Sequence, residues 1–394
     1  MRPYGGHHRA PATVGVVSTS TGVFPDILKR APRDRTIRPP MASDLFILIL
    51  SISVLIFGAE LLVRGASRLA LRIGVSPFVI GVTVVGFGTS APELAAALGA
   101  ATSGHGDIAI GNVIGSNIMN VALVLGLTAM VMPIPVSRLV VRREVLVTIG
   151  VSFVPFLALL NGGMLGRPLA ATMVVGLAAF LYWTFRISRR EGGMPIEAEV
   201  SDTPPRSGWM RSVIDLSLVL VGIVLLVFGA DFLVGAATNI ARVLGVSELI
   251  IGLTVVAGGT SAPELATSLV AVWRGRSDLG VGNILGSCIF NLLGILGVTA
   301  LVVPLEIPRE VFLFDLPVMI ATAIACLPIM FTGHRINRWE GFVLTAGFII
   351  YTTLLFVGWP FPADRSGQID SPPPVSSLDQ GPDGVETHEP RLLS

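Results

Sequence analysis

"GTSAPELA" occupies residues 88–95, and "GTSAPELATS" repeats it at residues 259–268. Each copy sets a glutamate, Glu93 or Glu264, behind the same Gly-Thr-Ser-Ala-Pro and inside a long apolar stretch. A carboxylate at the centre of a bilayer costs about 3 kcal/mol or more unless something compensates it. Two copies at matching positions argue against accident, so the fold turns on whether the flanking stretches cross a membrane.

Composition says that they do. Of the 394 residues, 52% are hydrophobic and only 13% charged, about half the charge that an average soluble domain carries. The net charge of +1 and the absence of a basic, aromatic-interleaved patch leave no nucleic-acid signal. Cys288 and Cys326 both lie in apolar segments without metal-ligand spacing, which reads as two small buried residues and not as a zinc site or a disulfide.

Stretches of spanning length fall at 44–66, 74–102, 108–133, 144–161, 168–187, 212–238, 246–273, 279–304, 311–331 and 339–359. The expected fold is an all-α integral membrane protein of ten transmembrane helices. Residues 1–42 read as a disordered tail or as sequence upstream of a true start at Met41, 189–211 as a cytoplasmic linker, and 361–394 as a Pro/Gly/Ser-rich tail. Short cytoplasmic loops retain Lys and Arg. Loops 1-2, 3-4, 5-6, 7-8 and 9-10 hold 15 arginines against 3 in the others, which puts both termini outside. The tail at 1–40, with seven Lys and Arg, conflicts with that orientation, and a start at Met41 removes the conflict.

A shift of 171 residues lays the chain on itself without gaps. "GVSPFVIGVTVVGFGTSAPELA" from Gly74 meets "GVSELIIGLTVVAGGTSAPELA" from Gly245, and "GNVIGSNIMN" from Gly111 meets "GNILGSCIFN" from Gly282. The units are therefore residues 43–188 and 212–360, each of five spans. An odd number inverts the second half in the membrane, the plan of two inverted-topology five-helix repeats common among secondary transporters.

Within each repeat, glycines and a proline beside the glutamate predict a broken helix, between Gly86 and Pro92 and again around Ala257 to Pro263. Backbone carbonyls freed there, with Thr89, Ser90, Thr260 and Ser261, are oxygen donors at membrane depth. In the following span Ser116 and Asn120 share a helix face, as do Ser287 and Asn291, with Asn112 and Asn283 one turn earlier. Two carboxylates, amides and hydroxyls without thiolate or imidazole suit a hard cation such as calcium, and protons or sodium ions are the competing occupants. The chemistry of the site does not choose between them. Glu60 and Asp231, also related by the shift, either line an ion path or sit at an interface. Asp107 and Asp278 read as solvated helix starts.

These stretches resemble the paired alpha repeats of the sodium/calcium exchanger superfamily, particularly its small prokaryotic members, over residues 43–360. The resemblance implies an inner-membrane antiporter that exchanges calcium for sodium by alternating access, with long peripheral spans 1 and 6 that move. It implies Glu93 and Glu264 as central ligands. Thr89, Ser90, Thr260, Ser261 and the carbonyls of Gly86 and Ala257 would complete the calcium site or flanking sodium sites, and Ser116, Asn120, Ser287 and Asn291 match further family positions. Calcium and sodium are cargo in this reading, and no resident cofactor, enzymatic activity or obligate protein partner beyond the lipid bilayer is expected. Asn291 stands where several family members carry aspartate, which leaves stoichiometry and potassium dependence open. Proton/calcium exchange at the same site is the alternative. A cation channel fits less well, since inverted halves with interrupted spans favour alternating access over a permanently shared pore.

Overall fold

Without water to accept backbone hydrogen bonds, a chain in lipid satisfies them within helices, and the apolar stretches follow that rule. The computed structural model describes residues 41–190, 209–245, 255, 257–331 and 333–357. The expected tails and linker lie almost wholly outside them.

The helices are α1 (Met41–Ile73), the pair α2 (Pro77–Thr89) and α3 (Ala91–Thr102), α4 (Gly106–Val131), α5 (Arg143–Asn161), α6 (Arg167–Arg190), α7 (Trp209–Val243), α8 (Ala257–Thr260), α9 (Ala262–Trp273), α10 (Ser277–Val302), α11 (Val311–Phe331) and α12 (Arg338–Val357). Eight of the described helices are long and apolar enough to cross a bilayer singly, and α2 with α3, bent by 44°, makes a ninth. The first half of the expected span at 246–273 falls mostly outside the described residues.

Helices α1 and α7 outrun their expected bounds of 44–66 and 212–238. At 33 and 35 residues each is about 50 Å long, well beyond a hydrocarbon core of about 30 Å. The expected bounds followed the usual spanning length of about 20 residues, but a helix continues through arginines whose heads reach water. The two helices pack antiparallel, and their ends are fastened. Asn239 donates to Asp44 at 3.2 Å, while at the other end Asp215, buried, takes Arg72 and lies 3.9 Å from Arg68. The shift of 171 carries Asp44 to Asp215 and Arg68 to Asn239, so the two fastenings are repeat-related, one an amide–carboxylate hydrogen bond and one an ion pair. Midway, Gly58 and Gly222 let the backbones touch: a Cβ on Gly222 would lie 2.8 Å from the Gly58 carbonyl oxygen.

Helices α4 and α10 are the most buried spans and form the centre. Gly282 and Gly286 of α10 receive α2 at backbone distance, since a Cβ on Gly282 would stand 2.5 Å from the Phe78 carbonyl oxygen and one on Gly286 2.6 Å from Val82 Cα. The repeat also shows in the strands. Ile134–Pro135 (β1) pairs with Arg335–Ile336 (β4), and Met164–Leu165 (β2) with Leu305–Glu306 (β3), both antiparallel. The shift carries β1 to β3 and β2 to β4, so exchanging the halves turns one ribbon into the other.

Candidate ion-binding site

Ser90 interrupts the helix, with φ −81° and ψ 5°, and α3 restarts at Ala91 with Pro92 in its first turn. Proline is at home there, because its missing N–H is one the first turn never uses. Glu93 follows in that same turn. The second copy repeats the geometry: Ser261 has φ −89° and ψ 6°, and Glu264 sits in the first turn of α9. A helix N-terminus carries partial positive charge, which favours a carboxylate at this place.

Both glutamates are fully buried, and the two halves hold each other's. Ser90 donates to Glu264 Oε1 at 3.3 Å, and Ser261 donates to Glu93 Oε1 at 3.5 Å. The backbone around each glutamate is fixed by the following span: Asn112 donates to the Glu93 carbonyl at 3.2 Å and Asn283 to the Glu264 carbonyl at 3.4 Å. Ser287 adds a second donor to Glu264 Oε1 at 3.4 Å. Thr89 donates to Asn283 Oδ1 at 3.1 Å, and Asn283 Nδ2 also donates to Ser268 Oγ at 3.0 Å. Asn283 thereby ties the broken helix of one half to the glutamate of the other.

What remains open is a set of oxygens. The Oε2 atoms of Glu93 and Glu264, and both amide atoms of Asn120 and of Asn291, are buried without a hydrogen-bond partner. Native proteins leave few such groups, and a bound ion is one reason for them. Asn120 and Asn291 each lie second in a widened helical turn, Met119–Val124 in α4 and Phe290–Ile295 in α10. π-Turns of this kind recur at functional sites. Among the described residues no group of three or more His, Cys, Asp or Glu side chains gathers, so neutral oxygens must complete any coordination shell around the two carboxylates.

The other expected site residues divide. Ser116 is buried in α4 beside this cluster but makes no bond to Glu93 corresponding to that of Ser287. Thr260 is half-buried at the end of α8, which Ala257 opens. The carbonyl of Gly86 departs from expectation. It already accepts the Ser90 N–H at 3.1 Å and the Thr89 hydroxyl at 3.4 Å, because the chain stays helical through Gly86 and breaks only at Ser90. Pro92, lacking an N–H, withholds its bond from the Gly88 carbonyl instead.

Glu60 is held by Arg64 and by Arg274, the latter at 2.7 Å. Asp231 is exposed, and Asp107 is exposed in the first turn of α4, as a solvated helix start requires, whereas Asp278 in the first turn of α10 is half-buried and so is not the solvated side chain expected. Asn283 as a clamp between the halves went unassigned in the sequence, although the repeated Gly-Asn that opens "GNVIG" and "GNILG" was the available signal.

Comparison with known proteins agrees with this geometry. The family described as sodium/calcium exchanger protein matches residues 43–186 and 214–357. CaxA of Alkalimonas amylolytica is 38% identical over 323 residues, covering 80% of this chain and 99% of that protein. Inner membrane protein YrbG of Escherichia coli (strain K12) is 34% identical over 316 residues, covering 79% and 96% respectively. Among solved structures, the sodium-calcium exchanger NCX_Mj superposes with a TM-score of 0.67 at 30% identity, covering 80% of this chain and all of that one. With both repeats matched and the glutamates of both buried at the meeting of the halves, the chain belongs to the sodium/calcium exchanger protein family.

Proposed function

We propose that this antiporter carries calcium one way and sodium the other through the cluster around Glu93 and Glu264. The observation that carries the reading is the crosswise pair of buried carboxylates: each is held at one oxygen by the other half's serine and is open at its second oxygen. A divalent cation between them offsets both charges, and the amide oxygens of Asn120 and Asn291, the hydroxyls of Thr89, Ser90, Thr260, Ser261, Ser116 and Ser287 and the carbonyls of Gly88 and Ala257 are the candidate neutral donors, the Gly86 carbonyl being already engaged. Calcium accepts six to eight oxygens in flexible geometry. Sodium ions entering the same oxygens restore neutrality when calcium leaves, so neither ion needs to leave two bare carboxylates behind.

The architecture we propose is two inverted five-span repeats, 43–188 and 212–360, in the inner membrane with both termini outside. Support comes from helix bounds related by 171 residues, the exchange of the two strand pairs, the arginine asymmetry of the loops, and the similarity to inner membrane protein YrbG. The deciding experiment is calcium uptake into proteoliposomes loaded with sodium, with potassium, or with a pH gradient alone. An outward sodium gradient drives accumulation, and dissipating it ends net uptake. Uptake driven by the proton gradient with sodium ineffective would replace sodium by protons as the coupling ion.

A further inference from the structure

Glu60 of α1 ties one half of the molecule to the other. Both of its oxygens meet a single guanidinium: Arg274 Nε donates to Oε2 at 2.9 Å, and Arg274 Nη2 lies 2.7 Å from Oε1. Arg64, one helical turn further along α1, engages Oε1 as well. The Glu60 side chain is only 15% exposed, and Arg274 caps α9 with its guanidinium over the Trp273 ring at 5.9 Å. A two-point fork of this kind fixes orientation as well as distance, so α1 is pinned to the end of the helix whose first turn holds Glu264. The shift of 171 residues carries Glu60 to Asp231, Arg64 to Gly235 and Arg274 back to Ser103. The mates keep the carboxylate and lose both cations, so the same three positions cannot form this ion pair in the other arrangement of the halves. Packing divides in the same way. Helix α1 packs along α9, whereas the corresponding helices α7 and α3 barely meet among the described residues, and α7 rests instead on α8 and on the last turn of α2.

We propose that Glu60 and Arg274 form a latch that holds the carrier closed at the face of loops 1-2 and 7-8, with no matching latch for the opposite face. The proposal rests on the alternating-access reading and the inverted arrangement given above. Under that arrangement the docking of α1 on α9 in one state corresponds to the docking of α7 on α3 in the other. Passing between them breaks the Glu60–Arg274 pair, and the second docking forms without an equivalent, because Ser103 stands where Arg274 would be needed. The two closed states are therefore held with unequal strength. The arginine asymmetry of the loops assigns the latched face to the cytoplasm. A partly exposed ion pair contributes modestly, which suits a device that biases two populations several-fold and does not freeze either.

The test is hydrogen–deuterium exchange of the full chain in nanodiscs, read by mass spectrometry at residues 262–274 and 91–103, for the parent, Glu60→Gln, Arg274→Gln, the double variant and, as a control, Asp231→Asn. In E60Q and R274Q exchange at 262–274 becomes about fivefold faster. It slows at 91–103 in the same samples, because α7 docks on α3 more of the time. The double variant exchanges no faster than the faster single one, and D231N matches the parent at both segments. Should E60Q fail to fold, Glu60→Asp keeps the charge, loses the reach for the fork and takes its place. Unchanged exchange at 262–274 overturns the proposal. So does faster exchange there without slowing at 91–103, which would make the pair a local contact only. Sodium-driven calcium uptake by the parent preparation keeps the two readings apart: absent sodium coupling with the reciprocal exchange intact removes the sodium antiport and retains the latch.

Discussion

The two glutamates have near-identical sequence around them and unequal surroundings. Glu264 Oε1 accepts from Ser90 and from Ser287, and its backbone is clamped by an Asn283 that is itself held by Thr89 and Ser268. Glu93 Oε1 accepts from Ser261 at 3.5 Å, the edge of hydrogen-bond distance, and Ser116 makes no matching bond. Under the proposed inverted arrangement, halves in identical conformations would offer a site equally to both faces of the membrane. A carrier open to one side at a time therefore needs its halves to differ at any instant and to exchange roles. In this conformation α1 packs along α9 and Glu60 joins Arg274 at its end, so the half containing Glu264 is the more tightly held.

The largest effect should break the likeness of the two sides. Glu93→Gln or Glu264→Gln removes half of the charge that offsets a divalent ion, and disrupting a buried charge arrangement costs on the order of 3–5 kcal/mol. Sodium-driven calcium uptake should fall by about a thousandfold in either variant, while folding persists because a neutral amide is easier to bury than a carboxylate. Uptake by E264Q at the parental rate would make the glutamates structural.

Next in size is the pair of fastenings between α1 and α7. Asp215→Asn leaves Arg72, only 11% exposed, without its counter-charge, and should lower stability by about 2–3 kcal/mol, less than a fully buried pair because Arg68 and part of Arg72 reach solvent. Asp44→Asn keeps a hydrogen-bond acceptor for Asn239 and should cost about 1 kcal/mol or less. Thermal unfolding in one detergent ranks the two, and equal losses would mean that the ion-paired end is no stronger than the amide–carboxylate one.

Much of this molecule was legible in its sequence because the repeat is gap-free: the halves, the break before each glutamate and the pairing of "GTSAPE" with "GN" segments all follow from local residue types. The unread parts depend on register between residues far apart in the chain. Ser90 reaching Glu264 and Ser261 reaching Glu93 are contacts across the halves, with no local signature. The widened turns at Asn120 and Asn291 likewise have no residue pattern of their own, since one extra residue in a helical turn changes spacing and not composition. Asp44 and Asp215 went unassigned for a related reason: at the end of an apolar run a charge looks solvated, and only the antiparallel partner shows that it is held.

The crosswise serines give a finer test. Ser90→Ala removes one of two donors to Glu264 Oε1, and Ser261→Ala removes the one at the longer distance to Glu93. A hydrogen bond to a charged group contributes about 1.5–3 kcal/mol, so S90A should weaken apparent calcium affinity about tenfold, and S261A only a few-fold because its bond is marginal. Calcium dependence of uptake at fixed sodium measures both. The opposite order would show that the Glu93 side is the tighter one during transport.

The smallest effect, and the most informative about ion choice, concerns the open amides. Asn120 and Asn291 occupy matching widened turns, both fully buried with no hydrogen-bond partner for either amide atom. Aspartate at either place adds a third negative charge to a shell that a divalent ion otherwise balances with two. Asn291 lies one helical turn after Ser287, which reaches Glu264, whereas Asn120 follows Ser116, which reaches no glutamate. Added charge at 291 therefore falls on the more constrained side, where ligands move least to accommodate it. Asn291→Asp should change the sodium and potassium dependence of calcium uptake, with an apparent calcium affinity altered about threefold, roughly 0.6 kcal/mol, and Asn120→Asp should change them less. Uptake measured across sodium, potassium and calcium concentrations in proteoliposomes, beside the folded yield of each variant, separates a ligand effect from a folding defect. Cation profiles of N291D identical to those of the parent, at equal folded yield, would place residue 291 outside the ion shell and leave its unpartnered amide as a packing feature of the widened turn.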